Sequence, residues 1–189
     1  MRAAARRLPR ADPVSRGPHR APAAARRRRP LRILVRGDPP SDVALARRAM
    51  LAAAKPYRVP PGTVVTLAFV DDAAMRDLNH RYRRKDRTTD VLSFGEDLPA
   101  GARGLTATRS LRPGPDGVTT LGDVVISGAQ AARQARKRRW PLASEVAFLA
   151  AHGTLHLLGF DDDTQAGYRE MLALGNAAVA ASRQQRVNR

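Results

Sequence analysis

Apolar residues along this chain first fall into a pattern at residues 31–35, where Leu-Arg-Ile-Leu-Val has the character of a short strand. Pro39-Pro40-Ser41 breaks it, with Ser41 placed to cap a helix, and residues 44–54 then have a helix's Ala- and Leu-rich composition. Pro60-Pro61-Gly62 makes a turn, and 63–70 (Thr-Val-Val-Thr-Leu-Ala-Phe-Val) is the strongest predicted strand. Asp71 or Asp72 caps the next helix, whose Met75, Leu78 and Tyr82 share a face at three- and four-residue spacing. Further strands are predicted at 89–94 and 121–126. Ser127-x-x-Gln130 has the form of a capping box, opening a helix through Arg133, Arg136 and Lys137. Pro141 suits the start of another helix, which runs through Phe148 and Leu149 to His152 and His156. A last helix from about Thr164 puts Tyr168, Met171, Leu172 and Gly175 on one face.

The resulting order, β-α-β-α-β-β-α-α-α, predicts an α+β protein with α/β-like layers. A small four-stranded mixed sheet packs with about five helices, and the histidine pair lies at the end of a central one. This domain spans 31–189. Within it, the stretch near 97–120 is rich in glycine and proline, lacks periodicity, and is predicted to be a disordered insertion. Residues 1–30 are nearly all Arg, Ala and Pro, and five prolines there oppose a helix, which predicts a disordered basic extension. That segment lacks the apolar core of a secretory signal, although its arginine-rich, acid-poor composition also suits an organellar transit peptide. No internal repeat is present, and no apolar run approaches the ~20 residues of a membrane span.

Charge narrows the partners. The formal net charge is +17 over 189 residues, which points to a polyanion, most simply nucleic acid. About half of the excess sits in residues 1–30, where ten arginines face Asp12 alone, so the domain is basic in its own right. The absence of cysteine excludes disulfides, thiolate metal sites and cysteine nucleophiles, and fits a cytoplasmic protein. Aromatic residues are scarce, which predicts that base stacking contributes little to binding.

The candidate chemistry lies in His152-Gly-Thr-Leu-His156-Leu-Leu-Gly159-Phe-Asp161-Asp162-Asp163. Histidines at i and i+4 lie on one helix face, so both can reach a single ion. Asp162 would be about 9 Å further along a straight helix. The chain must therefore fold back, and Gly159 permits this by taking a left-handed conformation cheaply. Asp162 is the simplest third ligand, with Asp161 and Asp163 as rivals and His80 an outside one. Three protein ligands leave a position open for water. Gly153 stands where a His-Glu-x-x-His metallopeptidase carries its glutamate base, which argues against peptide hydrolysis. Upstream, Leu78-Asn-His-Arg-Tyr-Arg83-Arg-Lys-Asp86-Arg-Thr-Thr89-Asp90-Val-Leu-Ser-Phe94 runs a cluster of guanidiniums into a strand. Arginine forks match phosphate oxygens, although the arginines alone would equally suit a solvated helix end.

This segment, with Leu121-Gly-Asp123-Val-Val-Ile-Ser127 and the histidine stretch, resembles the YbeY family of bacterial rRNA maturation factors over roughly residues 60–175. The resemblance implies a single-metal endoribonuclease acting on single-stranded RNA, in 16S rRNA 3′-end maturation and ribosome quality control. It implies one zinc ion on His152, His156 and Asp162, and makes Arg83, in Tyr82-Arg83-x-x-Asp86, the catalytic arginine. Its implied partners are RNA, ribosomal particles and ribosomal proteins. The family usually carries histidine where this chain has Asp162, a change that makes the site more negative and favours harder cations. Two rival readings are a non-catalytic ribosome assembly factor stapled by its metal and, further off, a metallopeptidase. Nothing in the sequence sets the oligomeric state.

Overall fold

Among the described residues, four strands and six α-helices pack together with one of the helices at the centre. A computed structural model of the chain describes residues 31–184, so the basic extension expected at 1–30 lies outside the described residues. In chain order the elements are β1 (Leu31–Arg36), α1 (Ala44–Ala54), β2 (Thr63–Val70), α2 (Asp72–Arg83), β3 (Val91–Gly95), α3 (Leu105–Ser110), β4 (Thr120–Ser127), α4 (Gly128–Arg138), α5 (Leu142–Leu157) and α6 (Gln165–Gln184). The sheet order is β1-β2-β4-β3; β1, β2 and β4 are parallel and β3 is antiparallel to β4. The sheet is therefore mixed, as predicted.

The two sheet faces have separate cores. In β2 every second residue from Thr63 to Phe69 is buried, and Val65, Leu67 and Phe69 join Val124 and Ile126 of β4 in the main core beneath α1, α5 and α6. Val125 points the other way, into a smaller cluster with Met75 of α2 and Leu92 and Phe94 of β3. Tyr82 closes that cluster edge-on against Phe94, with ring centroids 5.0 Å apart. Helix α5 is the central element. Between Ser144 and Leu157 every residue is buried except His152 and His156. A helix apolar all round belongs inside a protein, and beyond its first two residues the two histidines are the partly exposed positions of this one.

Local signals set most boundaries. The Asp71 carboxylate accepts from Ala74 N at 2.8 Å, capping α2, and Ser127 Oγ accepts from Gln130 N at 3.1 Å, capping α4. Only half of the expected capping box forms, because Gln130 Oε1 accepts from Arg133 Nε instead. Ser41 does not cap α1; Asp42 Oδ1 accepts from Ala44 N at 2.9 Å. Among the described residues no helix is long and apolar enough to cross a membrane.

The 97–120 segment differs from the disordered insertion its composition predicts. It contains α3, and it buries Ala102, Ala107 and Leu111. Gly104 N donates to Leu158 O at 2.8 Å, Thr108 Oγ1 donates to Tyr57 O at 2.7 Å, and Arg103 forms a bidentate pair with Glu170 of α6. The apolar residues here are too few and too unevenly spaced to give a period. Their partners are distant in sequence, so the segment's structure comes from tertiary contacts.

Candidate metal centre and its cleft

Two imidazoles and one carboxylate meet at the C-terminal end of α5. His152 and His156 lie one turn apart, with their Nε2 atoms 3.1 Å from each other. Asp162 Oδ2 is 3.4 Å from His152 Nε2, and Asp162 Oδ1 is 3.8 Å from His156 Nε2. Ligand bonds of roughly 2.0–2.1 Å in a tetrahedron put ligand atoms about 3.3 Å apart. The three observed separations bracket that value, so this donor set fits a small divalent ion. Among the described residues this is the group of histidines and carboxylates arranged to hold one. Asp161 and Asp163 are not in it. His80 sits on the exposed end of α2 beside Asp77, Arg81 and Arg84, at a separate depression of the surface.

Each donor is held by its surroundings. His156 Nδ1 is 3.1 Å from the carbonyl oxygen of Phe160. A carbonyl only accepts, so that nitrogen carries the proton and Nε2 presents its lone pair toward Asp162. His152 stacks on Phe148, with centroids 5.8 Å apart and planes 25° apart. Burial, and then the neighbouring His156, push the His152 pKa below its ordinary 6.5, against the pull of Asp162. The imidazole is thereby kept neutral, the form that binds a metal. Gly159 has φ +85° and turns the chain back to bring Asp162 to the histidines.

Gly153, between the two histidines in sequence, turns toward the sheet instead of the opening. It is buried against the sheet, its carbonyl accepts from Ser93 Oγ at 3.1 Å, and a Cβ there would come within 2.6 Å of Val124 Cγ1. A side chain there would have to displace Val124 and Ser93, so packing as well as sequence opposes a glutamate base at this position.

Arg83, the last residue of α2, lines the same cleft as His156 and Asp162. It is exposed and makes no hydrogen bond or ion pair among the described residues. Asp86, three residues on, does not pair with it: Asp86 takes the Arg76 guanidinium at 2.7 and 2.9 Å. Lys85, Arg87 and Arg138 also line the cleft, so four cations surround an opening that contains the His–His–Asp cluster. Sequence reasoning placed Arg138 only within a general basic helix and missed its position at the site. It put Tyr168 and Leu172 on one face of the last helix with Met171 and Gly175. Met171 and Gly175 are buried, whereas Tyr168 is 53% and Leu172 37% exposed, and both line the cleft. The four share a face, of which Met171 and Gly175 are covered and Tyr168 and Leu172 are left open to the cleft.

Comparison with known proteins agrees with this architecture. The family model described as Endoribonuclease YbeY matches residues 39–182. A Moorella thermoacetica protein named Endoribonuclease YbeY is 45% identical over 138 residues, covering 70% of this chain and 81% of that one. A Myxococcus xanthus protein of the same name is 46% identical over 114 residues, 60% of this chain but 34% of its own, longer sequence. The solution structure of a Thermotoga maritima protein superposes with a TM-score of 0.51 at 18% identity, covering 81% of this chain and 93% of the other, and shares the fold.

Proposed function

The chain belongs to the Endoribonuclease YbeY family, and from that membership we propose that it is a metal-dependent endoribonuclease cutting single-stranded RNA. We place its activity in the cytoplasm, in 16S rRNA 3′-end maturation and ribosome quality control, with ribosomal particles as its partners. The observation that carries the reading is one cleft holding both the His152, His156 and Asp162 cluster and the uncommitted guanidinium of Arg83.

His152, His156 and Asp162 would hold one ion, zinc by the nature of the two imidazoles, with the Asp162 oxygens favouring harder cations than a third imidazole would. When bound, such an ion supplies Lewis acidity and an acidified water for phosphodiester hydrolysis. The protein's own groups do the rest. Arg83 has no competing carboxylate and can direct its fork at the phosphoryl oxygens, where charge develops. Lys85 and Arg87 hold the flanking backbone by charge, which makes binding salt-sensitive. The Phe160 carbonyl fixes the His156 tautomer throughout.

The test is cleavage of an unstructured RNA by purified, zinc-loaded protein, with and without chelator. Cleavage that disappears on chelation and returns with zinc is expected. Intact RNA under all conditions would instead favour the non-catalytic assembly factor. The peptidase reading has Gly153 against it.

A further inference from the structure

One side of the cleft carries groups that hydrolysis at a single phosphate does not use. Arg138, the last residue of α4, donates from Nη1 to both carboxylate oxygens of Glu145 at 2.8 and 3.1 Å. Glu145 is completely buried within α5, whereas the Arg138 side chain is 43% exposed. A buried carboxylate thus anchors a partly exposed guanidinium that lines the cleft. The same guanidinium lies 5.6 Å from the Trp140 ring centroid and 5.8 Å from that of Phe148, the ring on which His152 stacks. Arg138 is therefore tied to the metal-site histidine through one shared ring.

The same cleft also has open aromatic surface. Tyr168 and Leu172 of α6 line this cleft, and Trp140, 41% exposed, packs edge-on against Phe148 at 6.3 Å. Exposed large apolar side chains gathered at one place usually mark a binding surface. Four cations around the same opening make a polyanion the complementary occupant, rather than an apolar protein face. An anchored arginine fork and an open ring lining one cleft match the two halves of a nucleotide, a phosphate and a π-face.

We propose that Arg138 and Tyr168 form a subsite for the unpaired nucleotide next to the scissile phosphate, Arg138 binding its phosphate and Tyr168 stacking on its base. Glu145 is the positioning residue that fixes the Arg138 fork. The subsite rests on the endoribonuclease reading and deepens it: a base stacked within a duplex is not free to stack on Tyr168, so the subsite selects single strands.

The single tryptophan of the chain, Trp140, lies 5.6 Å from the Arg138 guanidinium and so reports on the Arg138 side of the cleft. Metal-free full-length protein is titrated with a labelled, unstructured oligouridylate, recording RNA anisotropy and Trp140 emission together. The same titration is repeated with an abasic strand of equal charge. Emission that changes in step with anisotropy is expected, with the abasic strand bound about 5- to 100-fold more weakly, the range of one base–aromatic stack. Tyr168→Ala should lose that preference for bases and Tyr168→Phe should keep it. Arg138→Lys retains the charge next to Glu145 but not the fork, and should weaken binding of both strands. Silent Trp140 emission at saturation, or Tyr168→Ala binding both strands as the wild type does, would overturn the proposal. Cleavage is read separately. Protein that cuts RNA while Trp140 stays silent loses the subsite alone; protein that shows the binding pattern yet never cuts loses the endoribonuclease reading alone.

Discussion

Gly159 lies so close to the carbonyl oxygen of Ala102 that any side chain at 159 would run into it. The contact joins the turn after α5 to the segment before α3, and the Gly104–Leu158 hydrogen bond reinforces it beside the glycine. Phe160, next in the turn, packs against Tyr57 at 5.3 Å and lies under the Arg103 guanidinium at 4.9 Å. The segment that composition marks as an insertion therefore braces the turn that delivers Asp162 to the histidines.

Gly159→Ala should disturb both stability and the site. A non-glycine residue at φ +85° costs of order 1–3 kcal/mol, and the Ala102 carbonyl must also move. At about 2–4 °C per kcal/mol for a chain of this size, a melting temperature lower by several degrees is expected. Because Asp162 and the Phe160 carbonyl shift with the turn, zinc affinity measured by equilibrium dialysis should fall as well. Unchanged zinc affinity would separate the turn from the metal centre.

Arg83→Ala should leave folding and metal content alone. The side chain makes no hydrogen bond or ion pair among the described residues, so its removal costs little stability. Loss of a group directed at developing charge lowers kcat by about 10²–10³-fold. Single-turnover RNA cleavage beside a thermal melt checks both halves. Normal cleavage would remove Arg83 from the chemistry.

Asp162 is the carboxylate next to the histidines, so Asp162→Ala should lower zinc content while Asp163→Ala should not. Asp162→His replaces oxygen by nitrogen and should raise the preference for zinc over manganese in a competition dialysis. Equal metal content in wild type and Asp162→Ala would reject Asp162 as a ligand.

Gly153→Glu is the substitution that would complete a metallopeptidase sequence motif. The new Cβ would meet Val124 and Ser93, so the variant should lose about 1–3 kcal/mol by overpacking. It should gain no peptidase activity, because position 153 faces the sheet. Casein hydrolysis and urea unfolding measure the two outcomes.

The pair of Arg138 and Glu145 makes stability depend on pH. Burial pushes the Glu145 carboxyl above its ordinary 4.5, and Arg138 pulls it partly back. The folded chain thus keeps this proton to higher pH than the unfolded chain, and the group's contribution to stability falls as pH rises through 4.5 toward the folded value. Arg138→Ala removes the opposing pull, so the carboxyl moves further up and is unpaired at neutral pH. A loss of about 3 kcal/mol is expected there, the low end for a broken buried pair because Arg138 is partly exposed. Part of it should return near pH 5. Adding Glu145→Gln should recover most of it at pH 7, as read from urea midpoints.

What the sequence by itself determined is whatever depends on neighbours a few residues away. Helix α1 spans 44–54 as its composition predicts, β2 spans 63–70, and Asp71 and Ser127 cap the helices they precede. The two histidines share a face because four residues make about one helical turn. Tertiary structure decided the rest. Asp162, rather than Asp161 or Asp163, comes to the histidines because Gly159 and Phe160 are fixed by contacts with Ala102 and Tyr57, more than fifty residues away. Asp86 turns to Arg76 and leaves Arg83 unpaired. Tyr168 shares the spacing of the buried Met171 and Gly175, yet it is exposed and lines the cleft. Periodicity and capping are local and leave a local trace, whereas which edge is covered and which carboxylate arrives depend on distant residues with no fixed spacing.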